Sequence, residues 1–483
     1  MSPPDPDLLC ADAPLLAEAL TTAGWSAPAL DELLGGTARG HLDRGELAPL
    51  LRRTGGGSPL ETLARLFVLG VPVPLSQSRR AGVPETWLRP DGYGVAAPVR
   101  LQPVLHDGVE VQVAHDPSRA AGNDPQTDQV LGFGAASRTL AAATPRTPVG
   151  RTLDLGTGCG VQALLAAGHS STVVATDVNP RAAGYARLGA ALNGSHLVVH
   201  TGDLLEPVAG ELFDLVVSNP PFVLGAGGDG GVRYTYRDAG PEGDELCRRL
   251  VAGLPAVLVE GGTAVLLASW LHVEGEDGDD RVRSWFGPGV DGWVVQRELA
   301  APQDYVATWL RDSGEPEGFE QLYGRWLDWF AERRVEAVAF GVLALRKRRG
   351  AGGRVWLDEV SQQVAPAWGE QVPAFFAGQD ALDRGVLATA WRLREDVRLH
   401  SVAQRTQEGW QTSAQVLRQE GGLRWSGGVD SYGAMLLAGC DGTRRLGELL
   451  AVLAASAGIR EDEAAEQVVP VVHRLVEQGF LVP

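Results

Sequence analysis

The chain has 483 residues, 44% of them hydrophobic and 21% charged, the make-up of a globular protein too long for a single core. Its 60 acidic and 42 basic side chains leave a formal net charge of −18, which repels a phosphate backbone except where a local basic face overrides it. No apolar run approaches the roughly 18 residues of a membrane span, and the first residues lack the basic start and apolar core of a signal peptide, so a cytoplasmic location is expected.

Residues 8 to about 70 read as helices. LLAEALTTAGW and PLETLARLFVLG repeat apolar residues at three- and four-residue steps, and Gly35-Gly36 and Gly55-Gly56-Gly57 punctuate them. A helical N-terminal domain is therefore expected over 1–90. Over 91–123 the pattern changes. Two alternating runs flank His106-Asp107-Gly108, and Asp-Gly between such runs signals a β-hairpin. From 124 to 350 short apolar strands (RTLDLG, TVVATD, HLVVH, FDLVVSN, TAVLLAS) alternate with helical stretches (VQALLAA, PRAAGYARLGAALN, DELCRRLVAGLPAVL). This is the signature of a parallel sheet with helices on both faces, an α/β fold. WVVQREL and AVAFGVLALRK complete it as late strands, one of them antiparallel, with two amphipathic helices between them. RKRRGAGGR (346–354) reads as a basic, glycine-rich linker. Beyond it, 351–483 ends in strand, two helices and a short strand, an α+β unit with a winged-helix-like order. The cysteines, Cys10, Cys159, Cys247 and Cys440, are far apart with no CxxC pair, so neither a zinc site nor a disulfide framework is expected, and no metal.

Ligands of open parallel sheets bind at the carboxyl ends of the strands, and the informative residues fall there. Asp154-Leu155-Gly156-Thr157-Gly158-Cys159-Gly160 follows the strand RTLDL. Its GxGxG spacing departs from a dinucleotide fingerprint, because position 161 is valine. It suits a ligand that needs close backbone approach and has no pyrophosphate. Asp177 ends the next strand and can accept from both hydroxyls of a ribose; Asn179-Pro180 behind it can start a helix unaided. Asp203, after the following strand, can accept from an exocyclic adenine amine. Asn219-Pro220-Pro221-Phe222 ends FDLVVS. The asparagine oxygen and the Pro220 carbonyl make two fixed acceptors, which suit the two donors of a planar NH2 group, and Phe222 offers a flat apolar surface.

Together these residues resemble the class I S-adenosylmethionine-dependent methyltransferases that carry an Asn-Pro-Pro-(Tyr/Phe) motif and methylate planar nitrogens. The resemblance covers about residues 124–347 and implies a Rossmann-like seven-stranded methyltransferase domain. It implies that Asp154, Gly156, Thr157, Gly158 and Gly160 line the methionine part of the donor, Asp177 with Val178 the ribose, and Asp203 with Leu204 the adenine. Thr127, in the Pro125-Gln126-Thr127-Asp128 segment, would cover it. Asn219 and the Pro220 carbonyl would grip the amine, with Pro221 stiffening the turn and Phe222 stacked on the acceptor. A helical domain, a hairpin and then this domain is also the order of the HemK-like release-factor glutamine methyltransferases. That family usually ends after the catalytic domain and has tyrosine where this chain has Phe222.

Arg233, Tyr234, Tyr236, Arg237 and Asp238, in the glycine-rich stretch after the motif, are candidate substrate contacts. Three acceptors fit the chemistry: a protein or peptide amide such as glutamine, an RNA or DNA amino group, or a small molecule of specialised metabolism. The acidic charge favours the first. RKRRG and the winged-helix-like end favour the second.

Overall fold

The computed structural model describes residues 5–92, 94–117, 128–225, 243–312, 318–350, 352–407 and 409–483. It divides into two compact units, 1–141 with 148–359, and 142–147 with 360–483. The first is built on an eight-stranded sheet. Its strands are β1 (Val149–Leu155), β2 (Ser170–Asp177), β3 (Leu197–Thr201), β4 (Phe213–Ser218), β5 (Leu258–Val273), β6 (Val290–Ala300), β7 (Val335–Lys347) and β8 (Val355–Glu359). They lie in the order β8-β6-β7-β5-β4-β1-β2-β3. Only β7 runs antiparallel to its neighbours β5 and β6, as the two late strands suggested. The expectation of seven strands is corrected by β8, which pairs parallel to β6 from Gly292↔Val355 to Gln296↔Glu359. This strand lies past residue 350, where the sheet was expected to end. VWLDE is short and half polar, so no alternation marked it.

Local chemistry explains the elements around the sheet. The helix Pro180–Asn193 starts with Pro180 in its first turn and the Asn179 side chain accepting from the Arg181 amide. It stops at Gly194, whose φ of 59° few other residues adopt. Arg100–His106 and Val109–His115 pair as the expected hairpin, turned by Asp107 (φ 47°) and Gly108 (φ 78°). Positive φ at both turn positions is the tight hairpin geometry that Asp-Gly favours. The N-terminal helices pack one small cluster of their own, Leu34, Ala38, Leu50 and Leu69, but their larger apolar surface is shared. One apolar cluster joins Leu16, Trp25, Phe67 and Trp87 to Val104 and Val113 of the hairpin, and to Leu164, Tyr185 and Leu188 of the helices flanking β2.

The second unit has its own core, including Trp391, Leu417, Leu449, Val472 and Phe480. The expected helices are there, Leu446–Ala457 and Glu461–Glu477, followed by the strand Leu481–Val482. The order differs from a winged helix, whose wing follows its helices. Here a long hairpin, Val397–Thr406 with Gly409–Gln419, comes before them.

The basic RKRRG stretch is absorbed by the sheet edge. Asp291 is fully buried, at 0% exposure. It accepts from the guanidinium of Arg346 (2.6 Å), from that of Arg348 (3.2 Å) and from the Arg354 amide (3.2 Å). Lys347 donates to the Leu258 carbonyl at 2.8 Å. These bonds fix the segment that leads into β8. Removing the carboxylate takes away the acceptor that two guanidinium groups and the Arg354 amide share. Asp291→Ala should therefore cost about 3 kcal/mol of stability, read as a lower thermal midpoint. Arg349→Ala removes only an exposed pair with Glu260 at 3.6 Å and should leave the midpoint unchanged.

Candidate active site

Four neighbouring strands, β3-β2-β1-β4, end side by side, and each delivers one of the sequence-predicted groups. After β1 the chain makes the glycine turn. Gly156 and Gly158 take φ of 72° and 55°, and a Cβ on either would meet nothing within 4 Å, so both present bare backbone to open space. The turn is held from below. The amides of Gly156 and Thr157 donate to the Thr176 carbonyl, each at 2.9 Å. Asp154, 1% exposed, accepts from the Thr157 hydroxyl at 2.6 Å and from the Ala163 amide at 3.0 Å. Burial pushes the Asp154 carboxyl up to about 7, against these two bonds. Gly160 has a different task. It is not among the residues lining the cavity, and a Cβ there would come within 2.9 Å of the Ala186 backbone. It is glycine because its φ of 80° and the close approach of the second helix both exclude a side chain.

Asp177 accepts from the Gly158 amide at 2.9 Å and from the Asn179 amide at 2.8 Å, which leaves lone pairs on both oxygens for a ligand. Burial raises its carboxyl as well. Asn179 caps the following helix, so Asp177 is not needed as the cap. Val178, beside it, is an apolar side chain 53% exposed, a platform for a flat ring. Across from it Asp203 is exposed, and Leu204 holds a positive φ of 45°. Non-glycine residues in this region are strained and concentrate at ligand sites.

At the end of β4, Ser218 donates to the Leu155 carbonyl at 2.8 Å, which locks the Asn219 turn to the glycine turn. The Asn219 side-chain oxygen is buried, with no hydrogen-bond partner among the described residues. A buried acceptor left unpaired costs roughly 1–3 kcal/mol unless a ligand supplies a donor. Phe222 is 7% exposed. Its ring packs on Phe340 (centroids 5.1 Å apart) and edge-on to Trp309 (6.0 Å). It is therefore less open than a bare stacking platform. Tyr305, on the same helix as Trp309 (Pro302–Asp312), accepts from the Leu224 amide at 2.8 Å and braces the residues behind the motif.

These groups surround one cavity of about 470 Å³. Asp154, Gly156, Thr157, Gly158, Asp177, Val178, Asp203, Leu204 and Asn219 to Phe222 all line it. So do Trp309, Leu246 and Leu250, which the sequence reading missed. They come from helices whose amphipathic pattern says only that one face is covered. Cys159 also lines it, but burial pushes its thiol up to about 12, so it is held protonated and is no nucleophile. Among the described residues no cluster of side chains could hold a metal ion. Thr127, Arg233, Tyr234, Tyr236, Arg237 and Asp238 lie outside the described residues.

Residues 132–233 match the family described as "Methyltransferase small domain". The sheet unit carries a class I methyltransferase domain. Its cofactor is S-adenosylmethionine, and the bare glycine turn, the ribose-ready carboxylate and the apolar platform fit that molecule. Two further matches are described as domains of unknown function, DUF7059 over 22–90 and DUF7782 over 351–483. Among relatives, the chain is similar to a release factor glutamine methyltransferase of Xylella fastidiosa, 38% identical over 129 residues, 25% of this chain and 47% of the relative. A ribosomal protein uL3 glutamine methyltransferase of Bradyrhizobium diazoefficiens is 32% identical over 162 residues, 28% and 50% of the two chains. A ribosomal RNA small subunit methyltransferase C of Alcanivorax borkumensis is 32% identical over 120 residues, 25% and 32%. The chain thus spans half or less of the length of these relatives. No described helix is long and apolar enough to cross a membrane.

The Asp154 carboxyl gives a pH test. Its raised value means that the folded, free domain favours the protonated form; that stabilisation is complete below the ordinary carboxyl range and is lost as pH rises through about 7. A cationic ligand favours the ionised form. The affinity for S-adenosylmethionine should therefore rise by up to about ten-fold between about pH 6 and about pH 8. Asp154→Asn should flatten that rise. Titration calorimetry across this range checks both.

Proposed function

We propose that this protein transfers the methyl group of S-adenosylmethionine to a planar NH2 nitrogen, and that the acceptor is a protein or peptide amide of the glutamine type. The observation that carries the reading is the buried, unpartnered Asn219 side-chain oxygen on the wall of the cofactor cavity. A lone buried acceptor calls for a donor from the substrate. An NH2 group brings two donors; Asn219 takes one and the Pro220 carbonyl takes the other.

The cofactor supplies an electrophilic methyl. The chain's own residues do the rest. Gripping both N–H bonds fixes the nitrogen and turns its lone pair toward the cavity, and positioning of this kind can lower a barrier by several kcal/mol. Two prolines hold the turn, so little reorganisation accompanies binding. Phe222 and Trp309 wall the acceptor side with apolar surface and keep water away. As the nitrogen–carbon bond forms, the nitrogen turns cationic and strongly acidic, and its proton moves along one of these hydrogen bonds to a carbonyl oxygen and from there to bulk water. No dedicated base is required.

The glutamine assignment draws support from the names of the release factor and uL3 relatives. It is supported also by the net charge of −18, which disfavours a phosphate backbone near the site. A second reading, an RNA amino group, is favoured by the ribosomal RNA relative. Arg233, Tyr234, Tyr236 and Arg237 are assigned to the acceptor, and residues 1–90 and 351–483 to recognition of the molecule that carries it.

Asn219→Ala should lower kcat by about 10²–10³ and change cofactor affinity little, measured with radiolabelled S-adenosylmethionine. In cell extract depleted of its own activity, label should be lost on protease treatment and survive nuclease. Label that survives protease but not nuclease would move the acceptor to nucleic acid.

A further inference from the structure

The cavity wall holds a second buried acceptor, one that takes no part in gripping the NH2 group. Gln162 follows the glycine turn, on the short helix Val161–Ala166. It lines the cavity and is 4% exposed. Its amide has one possible orientation. Nε2 donates to the Ser137 carbonyl at 2.8 Å. A carbonyl only accepts, so the NH2 end must face Ser137 and the oxygen must face elsewhere. That oxygen is buried, with no hydrogen-bond partner among the described residues. A buried acceptor is costly to leave unpaired, and a ligand that brings a donor relieves the cost.

Asp154, close by, also has an oxygen to offer. The Thr157 hydroxyl and the Ala163 amide both donate to its Oδ2, and no other described group donates to the carboxylate. Ala163 is the residue after Gln162, so its bond to Asp154 keeps the carboxylate and the amide neighbours. Asp177 is held elsewhere, by the Gly158 and Asn179 amides. Gln162 is thus grouped with Asp154 and not with the carboxylate that suits a ribose. The charge of the wall is one-sided. Asp154, Asp177 and Asp203 line the cavity and, among the described residues, no lysine, arginine or histidine does. Such a wall receives donors, and it favours a cationic one.

The amino-acid end of S-adenosylmethionine carries an ammonium group, which has three N–H donors. One carboxylate oxygen does not take them all, and a neutral amide oxygen next to it supplies a second acceptor without adding charge to the wall. We infer that Gln162 is a cofactor-binding residue: its side-chain oxygen accepts from the ammonium group of S-adenosylmethionine, beside Asp154. The role concerns the methyl donor alone and holds whichever acceptor is methylated.

The test is titration calorimetry of the full-length chain with S-adenosylmethionine, with its decarboxylated form, which keeps the ammonium, and with methylthioadenosine, which lacks the amino-acid end. Gln162→Met replaces the amide by an apolar chain of similar length. It should weaken S-adenosylmethionine and the decarboxylated form alike, by about ten-fold or more, as the loss of a bond to a charged group does. Methylthioadenosine should bind as before. Gln162→Glu keeps an acceptor oxygen and should retain most of the affinity for both ammonium ligands. Equal weakening of all three ligands by Gln162→Met would make Gln162 a packing residue that holds Ser137, and overturns the inference. So does weakening confined to S-adenosylmethionine, which would assign the amide to the carboxylate of the ligand, or unchanged affinity throughout, which would leave the oxygen to a water molecule. If Gln162→Met does not fold, Gln162→Glu decides: retained preference for the ammonium ligands over methylthioadenosine supports the inference, and its loss overturns it.

Discussion

The site rests on one buried carboxylate. Asp154 sits at the carboxyl end of the central strand β1 and accepts from Thr157 in the turn and from Ala163 in the helix behind it. These two bonds close the chain from strand to helix around glycines that have no side chains to hold themselves. Because Gly158 then donates to Asp177, the second carboxylate is set by the first. Ser218 bonds back to Leu155, so the Asn219 turn is referenced to the same strand. The geometry of the cavity is thus one network across three adjacent strands. Its cost is a carboxyl group kept in a setting that resists ionisation.

Much of this was legible in the sequence because it is local. Strand, glycine turn and helix are contiguous, and so are Asp177 with Asn179-Pro180 and the four residues of the Asn219 motif. A parallel sheet then brings strand ends together without further instruction. What was not legible depends on distant packing. Trp309 is nearly 90 residues from Phe222, on a helix whose pattern announces a covered face and not what it covers. Gly160 reads as part of the ligand turn, yet its φ of 80° and the approach of Ala186 are what demand glycine there. Phe222 reads as a platform, but Phe340, from the antiparallel strand, takes one side of it.

The arginines show why charge along the sequence is a poor map of charge on the surface. RKRRG is the most basic run in the chain, and its first and third residues are spent on Asp291 while its lysine goes to a carbonyl. In the hairpin of Val397–Thr406 and Gly409–Gln419, Arg398, Arg405 and Arg418 look unremarkable by composition, yet all three are exposed. Strand pairing, invisible in a one-dimensional count, is what sets Arg405 opposite Trp410 and Arg398 opposite Arg418.

The apolar cluster shared by the N-terminal helices, the hairpin and the helix Pro180–Asn193 bears on how such a chain is assembled in evolution. That helix begins one residue after Asn179, beside the ribose carboxylate, and it buries Tyr185 and Leu188 against what precedes the sheet. A recombination event between the N-terminal helices and the sheet would leave both halves with a raw hydrophobic wound. The N-terminal helices are therefore bound to the methyltransferase sheet as one unit, whereas the second unit, which takes in 142–147 as well as 360–483, packs a core of its own.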